Sequence, residues 1–121
     1  MSKSVLTVDD SRTMREMVAF TLKGAGFDVR EAEDGKHAID VLKQGKVDVI
    51  VTDLNMPNMN GLELIRQLRA SPEHKTTPIL MLTTEGDASK KEEGRSAGAT
   101  GWIVKPFQPE KLVAVVNKVC V

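Results

Sequence analysis

The stretch Val47-Asp48-Val49-Ile50-Val51-Thr52-Asp53-Leu54-Asn55-Met56-Pro57 decides how this chain is read. Its first six residues form a short, largely β-branched apolar run, the composition of a strand covered on both faces, and the run stops against an acid, Asp53. Comparable runs lie at Val5 to Val8, Phe27 to Ala32, Ile79 to Leu82 and Trp102 to Val104. Between them apolar residues recur at helical spacing: Met14, Met17, Val18, Leu22 and Ala25; Ala38, Ile39 and Leu42; Leu62, Ile65 and Leu68; Leu112, Val115, Val116 and Val119. Strand runs that alternate with helical stretches predict an α/β fold: a doubly wound, five-stranded parallel sheet with five helices. The apolar helix faces, the methionines of the first helix included, are expected to cover the sheet.

Punctuation agrees with that division. Gly24, Gly45 and Gly98 stand where helices should stop, Asn60 with Glu63 three residues on reads as a capping box, and Pro109 suits a first helical turn. Asp87 to Ala97 has little apolar content beyond Ala88 and Ala97 and contains Gly94, so this helix is expected to be the least firmly docked.

With 121 residues, 40% of them hydrophobic and 28% charged, the chain is read as one globular domain spanning residues 1–121. Lys plus Arg equals Asp plus Glu at 17 each, which excludes a global basic field for nucleic acid or an anionic membrane. The lone cysteine, Cys120, fits a reducing compartment. Met1-Ser2-Lys3-Ser4 leads directly into the first strand run, which is neither a signal segment nor a span. The expectation is a cytoplasmic monomer.

The chemistry follows from where polar residues fall. Asp9 and Asp10 follow the first strand run, Asp53 the third, Thr83 the fourth and Lys105 the fifth, so a parallel sheet gathers all five on one rim. Ligands of such sheets bind outside the carboxyl ends of the strands, at a topological switch point. If the strands run 2-1-3-4-5, a common doubly wound order, the acids of the first and third strands converge, and the fourth and fifth add a hydroxyl and an ammonium. Three crowded carboxylates repel, and either a raised pKa or a hard divalent cation relieves them. Mg²⁺ is the natural choice, with Mn²⁺ as the substitute, because it takes carboxylates, waters and a phosphate oxygen together. A carboxylate in that setting can act as nucleophile and form an acyl phosphate. Asp53 is favoured for that role over the adjacent pair Asp9-Asp10, which is better suited to hold metal. Lys105 then offers a point charge to a phosphoryl oxygen, and Thr83 a hydrogen bond.

Val8-Asp9-Asp10-Ser11, Thr52-Asp53-Leu54-Asn55-Met56-Pro57, Met81-Leu82-Thr83-Thr84-Glu85 and Val104-Lys105-Pro106-Phe107 resemble, in order and spacing, the four signatures of the receiver-domain family of CheY-type response regulators. The resemblance spans nearly the whole chain. It implies a flavodoxin-like (CheY-like) fold with the 2-1-3-4-5 order, of which CheY is a standard instance. It further implies Asp53 as phosphoacceptor, and Asp10, Asp53 and the backbone carbonyl of Asn55 as Mg²⁺ ligands with Asp9 acting through water. Thr83 and Lys105 become the residues that sense and hold the phosphoryl group, while Asn55 and Glu85 tune its loss. Trp102 stands where the family often carries a switching aromatic, in a chain with no tyrosine, and with Lys90 and Lys91 it marks the expected output surface.

The resemblance implies a phosphorylation-activated switch that receives its phosphoryl group from a histidine kinase (CheA-like). Such a protein catalyses only its own phosphorylation and dephosphorylation, and signals by binding a partner. A chemotaxis role at the flagellar motor switch protein leads, with a phosphatase as a further partner; a phosphorelay intermediate and a phosphate sink are the alternatives. Two other classes share parts of the pattern. A flavodoxin-like electron carrier needs a glycine- and hydroxyl-rich phosphate loop where Asp9-Asp10-Ser11-Arg12 stands. A metal-dependent phosphohydrolase with an Asp-x-Asp pair needs an acid in place of Asn55.

Overall fold

The structure, a computed structural model, describes residues 3–54, 56, 58–84, 88–105 and 107–120. In chain order the elements are β1 (Ser4–Val8), α1 (Arg12–Gly24), β2 (Asp28–Ala32), α2 (Gly35–Lys43), β3 (Val49–Asp53), α3 (Gly61–Ala70), a 3₁₀ turn (Pro72–His74), β4 (Ile79–Thr84), α4 (Ala88–Ala97), β5 (Gly101–Lys105) and α5 (Pro109–Val119). The strands are all parallel, in the order β2-β1-β3-β4-β5. The α/β class, the five strands and the order are as expected. Asp53, Thr83 and Lys105, expected just beyond their strands, instead belong to the last two residues of β3, β4 and β5. Ladder pairing fixes their backbones and leaves the side chains at the rim.

Alternation along the strands divides the core in two. Leu6, Val8, Ile50, Ile79 and Met81 face Ala38 and Leu42 of α2 and Leu64, Ile65 and Leu68 of α3. Val5, Val49, Val51, Leu80, Leu82 and Ile103 face Val18 and Leu22 of α1 and Leu112 and Val116 of α5. A buried side chain of this kind contributes about 1.5–3 kcal/mol, so a one-residue register slip would exchange the two cores at prohibitive cost.

Local chemistry starts and stops the helices as read. Ser11 accepts from the Met14 N–H at 3.2 Å, the Asn60–Glu63 capping box is complete, and Pro109 opens α5. Gly98, after α4, takes the left-handed conformation (φ +114°) that only glycine adopts without cost. One reading needs correction. Met17 is not core: it is 51% exposed on α1, beside Phe20 at 81%. Helical periodicity marked a stripe wider than the sheet-facing surface. Where α4 meets the sheet the residue is a glycine: Gly94 is buried, and a Cβ there would overlap the Met81 thioether of β4, while Ala97 packs against the core. Among the described residues no helix is long and apolar enough to cross a membrane.

Asp34 is the N-cap of α2, accepting from the His37 N–H at 2.8 Å and from the Asn58 side-chain amide at 2.9 Å. The His37 N–H first, and the Asn58 amide second, hold its carboxyl below the usual aspartate range. Asp34→Ala should therefore cost about 1 kcal/mol in urea unfolding near neutral pH. A depressed native pKa stabilises above the unfolded value of about 3.9 and is lost as pH falls through the native one, so the gap between wild type and variant should close in strong acid.

Candidate functional site

The carboxyl ends of β1, β3 and β5 meet at one point on the rim. Asp9, directly after β1, is fully buried. Its N–H donates to the Ala32 carbonyl at 3.1 Å, and its carbonyl accepts from Arg15 Nη1 at 2.8 Å. Arg15 is itself held by Glu31 at 3.2 Å. The Asp9 side chain accepts from the Ser11 N–H through Oδ1 at 2.9 Å, whereas Oδ2 is buried without a hydrogen-bond partner among the described residues. Burial drives the Asp9 carboxyl above the usual aspartate range; the Ser11 N–H pulls against that rise and the charge of Asp53 adds to it.

Asp53 ends β3, and its Oδ1 accepts from Lys105 Nζ at 2.9 Å. The same ammonium lies 3.6 Å from Asp9 Oδ2. Asp10 is exposed and completes a trio whose carboxylate oxygens lie within 4.8 Å of one another. At that range two carboxylates repel by roughly 3–4 kcal/mol with an effective dielectric constant near 20, and one ammonium cannot neutralise three of them.

The backbone after β3 is equally constrained. The Thr52 hydroxyl donates to the Asp53 carbonyl at 2.9 Å, and the Gly61 N–H donates to the Leu54 carbonyl at 2.9 Å. A Cβ on Gly61 would overlap the Asp53 carbonyl oxygen, so the first turn of α3 packs against this peptide only because residue 61 is glycine. Thr83 lies on the neighbouring strand, one residue beyond Leu82, the register partner of Asp53. Its hydroxyl is buried and has no partner among the described residues, a state that costs about 1–3 kcal/mol if nothing satisfies it.

The oxygen-only donor set and the orphaned Asp9 Oδ2 fit a hard divalent cation such as Mg²⁺. Asp9, Asp10, Asp53 and Lys105 are thus brought together, with Thr83 on the adjoining strand. Trp102 sits three residues before Lys105, 40% exposed, with Lys91 Nζ 5.8 Å from its ring centroid. Asn55 and Glu85, and the side chain of Lys90, lie outside the described residues and atoms. Sequence reasoning missed Arg15 and Gly61. Arg15 carries no local signal, whereas a glycine directly after the Asn60 cap was a visible cue.

Comparison with known proteins agrees with this fold. Residues 5–117 match the response regulator receiver domain. The chain is 47% identical over 110 residues to the chemotaxis protein CheY homolog of Campylobacter jejuni, covering 89% of this chain and 85% of that one. It is 42% identical over 116 residues to chemotaxis protein CheY-3 of Vibrio cholerae, covering 95% and 89%. The solved structure of chemotaxis response regulator CheY4 of Vibrio cholerae superposes with a TM-score of 0.92 at 47% identity, covering 98% of this chain and 99% of that one.

Asp9→Asn keeps the oxygen that accepts the Ser11 N–H and removes a buried, repelled charge. In EDTA near neutral pH it should raise the urea midpoint above that of wild type; a lower midpoint would mean that the Asp9 carboxylate is stabilising on balance.

Proposed function

The chain belongs to the response regulator receiver family, and from that premise we propose how its switch works: Asp53 takes the phosphoryl group, with Lys105 and Thr83 as its sensors. The protein is a phosphorylation-activated response regulator of two-component signalling. The observation that carries the site assignment is the Lys105 ammonium 2.9 Å from Asp53, the carboxylate at the end of the middle strand.

An Asp53 carboxylate oxygen attacks the phosphorus of the donor, forming an acyl phosphate as the bond to the leaving group breaks and its electron pair departs with that group. The ion pair with Lys105 orients the nucleophile beforehand. Afterwards the ammonium turns to a phosphoryl oxygen, an anion with more charge to offer than the carboxylate it leaves. Thr83 donates its unmet hydroxyl to another oxygen, so the phosphorylated state satisfies a group that the resting state leaves orphaned. Asp9, Asp10, Asp53 and the Asn55 carbonyl would hold Mg²⁺, which when bound offsets the negative charge gathered by acids and phosphoryl group.

The reaction is the protein's own, both in gaining and in losing the group, with Asn55 and Glu85 tuning the loss. A histidine kinase supplies the phosphoryl group in the cytoplasm. The output follows the relatives named for chemotaxis: the surface of Lys90, Lys91 and Trp102 binds an effector, with a flagellar motor switch component as the leading partner.

Intact mass after incubation with acetyl phosphate tests the reading. One added phosphoryl group should form with Mg²⁺, and none in EDTA or in Asp53→Asn. An adduct that persists in the variant would move the acceptor elsewhere.

A further inference from the structure

Two loops carry the acids of the site, and a third holds them in relation to one another. Asp9 and Asp10 follow β1, and the Asp9 N–H is tied at 3.1 Å to the carbonyl of Ala32, the last residue of β2. Two residues further on, Asp34 caps α2 with Oδ1 and accepts from Asn58 through Oδ2 at 2.9 Å. Asn58 belongs to the loop that leaves Asp53. It is the one non-glycine among the described residues with a positive φ, 66°, a conformation that asparagine tolerates better than most residues. Beside it the Gly35 N–H reaches the Met59 carbonyl at 3.3 Å, and the space over Gly35 is so tight that a Cβ would come 2.7 Å from the Met59 side chain.

The links therefore run from Asp9 to Ala32, from Asp34 to Asn58, and back along the loop to Asp53. They bridge a sequence separation of 24 with a side-chain bond that helix capping alone does not need, because the cap uses only Oδ1. We propose that the Asp34–Asn58 hydrogen bond is a strap that sets the spacing between the Asp9-Asp10 loop and the Asp53 loop, and so the affinity of the acidic trio for a divalent cation. Both are positioning residues, and neither needs to touch the ion. The inference rests on the metal reading of the trio given above.

The ionised state of Asp34 suits this role, since a carboxylate accepts two bonds at once, one for the helix and one for the strap. Three like charges within 4.8 Å will separate unless the backbone holds them. A loop that relaxes outward lowers the repulsion and with it the drive to bind a cation. Partners of this outer kind usually change metal affinity by about tenfold or more.

The test is Mg²⁺ titration of ¹⁵N-labelled protein, followed by amide shifts, on wild type and three variants. Asp34→Ser keeps a capping oxygen but cannot reach Asn58, and Asn58→Gly keeps the left-handed backbone but loses the amide. The double swap Asp34→Asn with Asn58→Asp exchanges donor and acceptor at unchanged net charge. Each single variant should weaken Mg²⁺ binding about tenfold while thermal unfolding stays cooperative, and the swap should recover most of the loss. Wild-type affinity in both singles, or a swap as weak as they are, would overturn the strap and leave the metal site standing. Failure of wild type to bind Mg²⁺ would overturn the metal assignment and the strap with it.

Discussion

The Lys105 ammonium, 2.9 Å from Asp53 and 3.6 Å from Asp9, is the contact on which the rim depends. Without a cation between them two buried acids on neighbouring strands would push those strands apart. With one ammonium against three carboxylates the site remains short of positive charge. That deficit suits the proposed switch, in which a divalent cation and a phosphoryl group would arrive together. The Thr83 hydroxyl, without a partner among the described residues, would on the same proposal donate to the new anion.

Around that charged point the rest of the molecule works by close approach. Gly61 lets the start of α3 press on the Asp53 carbonyl, and Gly94 lets α4 sit directly on Met81. Both are places where a methyl group would move a helix relative to the site. At the second, the seat of α4 on the sheet is made by what residue 94 lacks. The same strand carries Met81 under α4 and Thr83 at the rim, so the two ends of one short segment connect the chemistry to the helix beside Trp102.

Much of this was legible in the sequence because it is written in short-range pattern. Five short apolar runs, four of them followed by a polar residue of a particular kind, point to a parallel sheet with its chemistry on one rim, and the Asn60–Glu63 cap is a four-residue signature. What escaped was set by distance or by shape. The Asp34–Asn58 bond joins residues 24 apart whose side chains, taken singly, are an ordinary cap and an ordinary turn residue. Arg15 acts on the backbone of Asp9, which no residue pattern marks. Met17 and Phe20 share helical spacing with Val18 and Leu22, and only the angle at which α1 lies on the sheet separates the buried pair from the exposed one.

Because Asp9, Asp10, Asp53, Thr83 and Lys105 all sit at the carboxyl ends of the strands, the opposite edge of the sheet carries none of these five. The connections there are tied into the fold: within residues 44–48 Val47 belongs to the core, the Gly45 carbonyl accepts from Arg30 at 3.2 Å, and Asp48 Oδ2 accepts from the Ser4 N–H at 2.8 Å. In segment 71–78 the carbonyls of His74 and Lys75 likewise hold the Arg69 guanidinium. An exposed position such as Lys46 thus offers an attachment point for a reporter or a tether on the side of the sheet away from the acids.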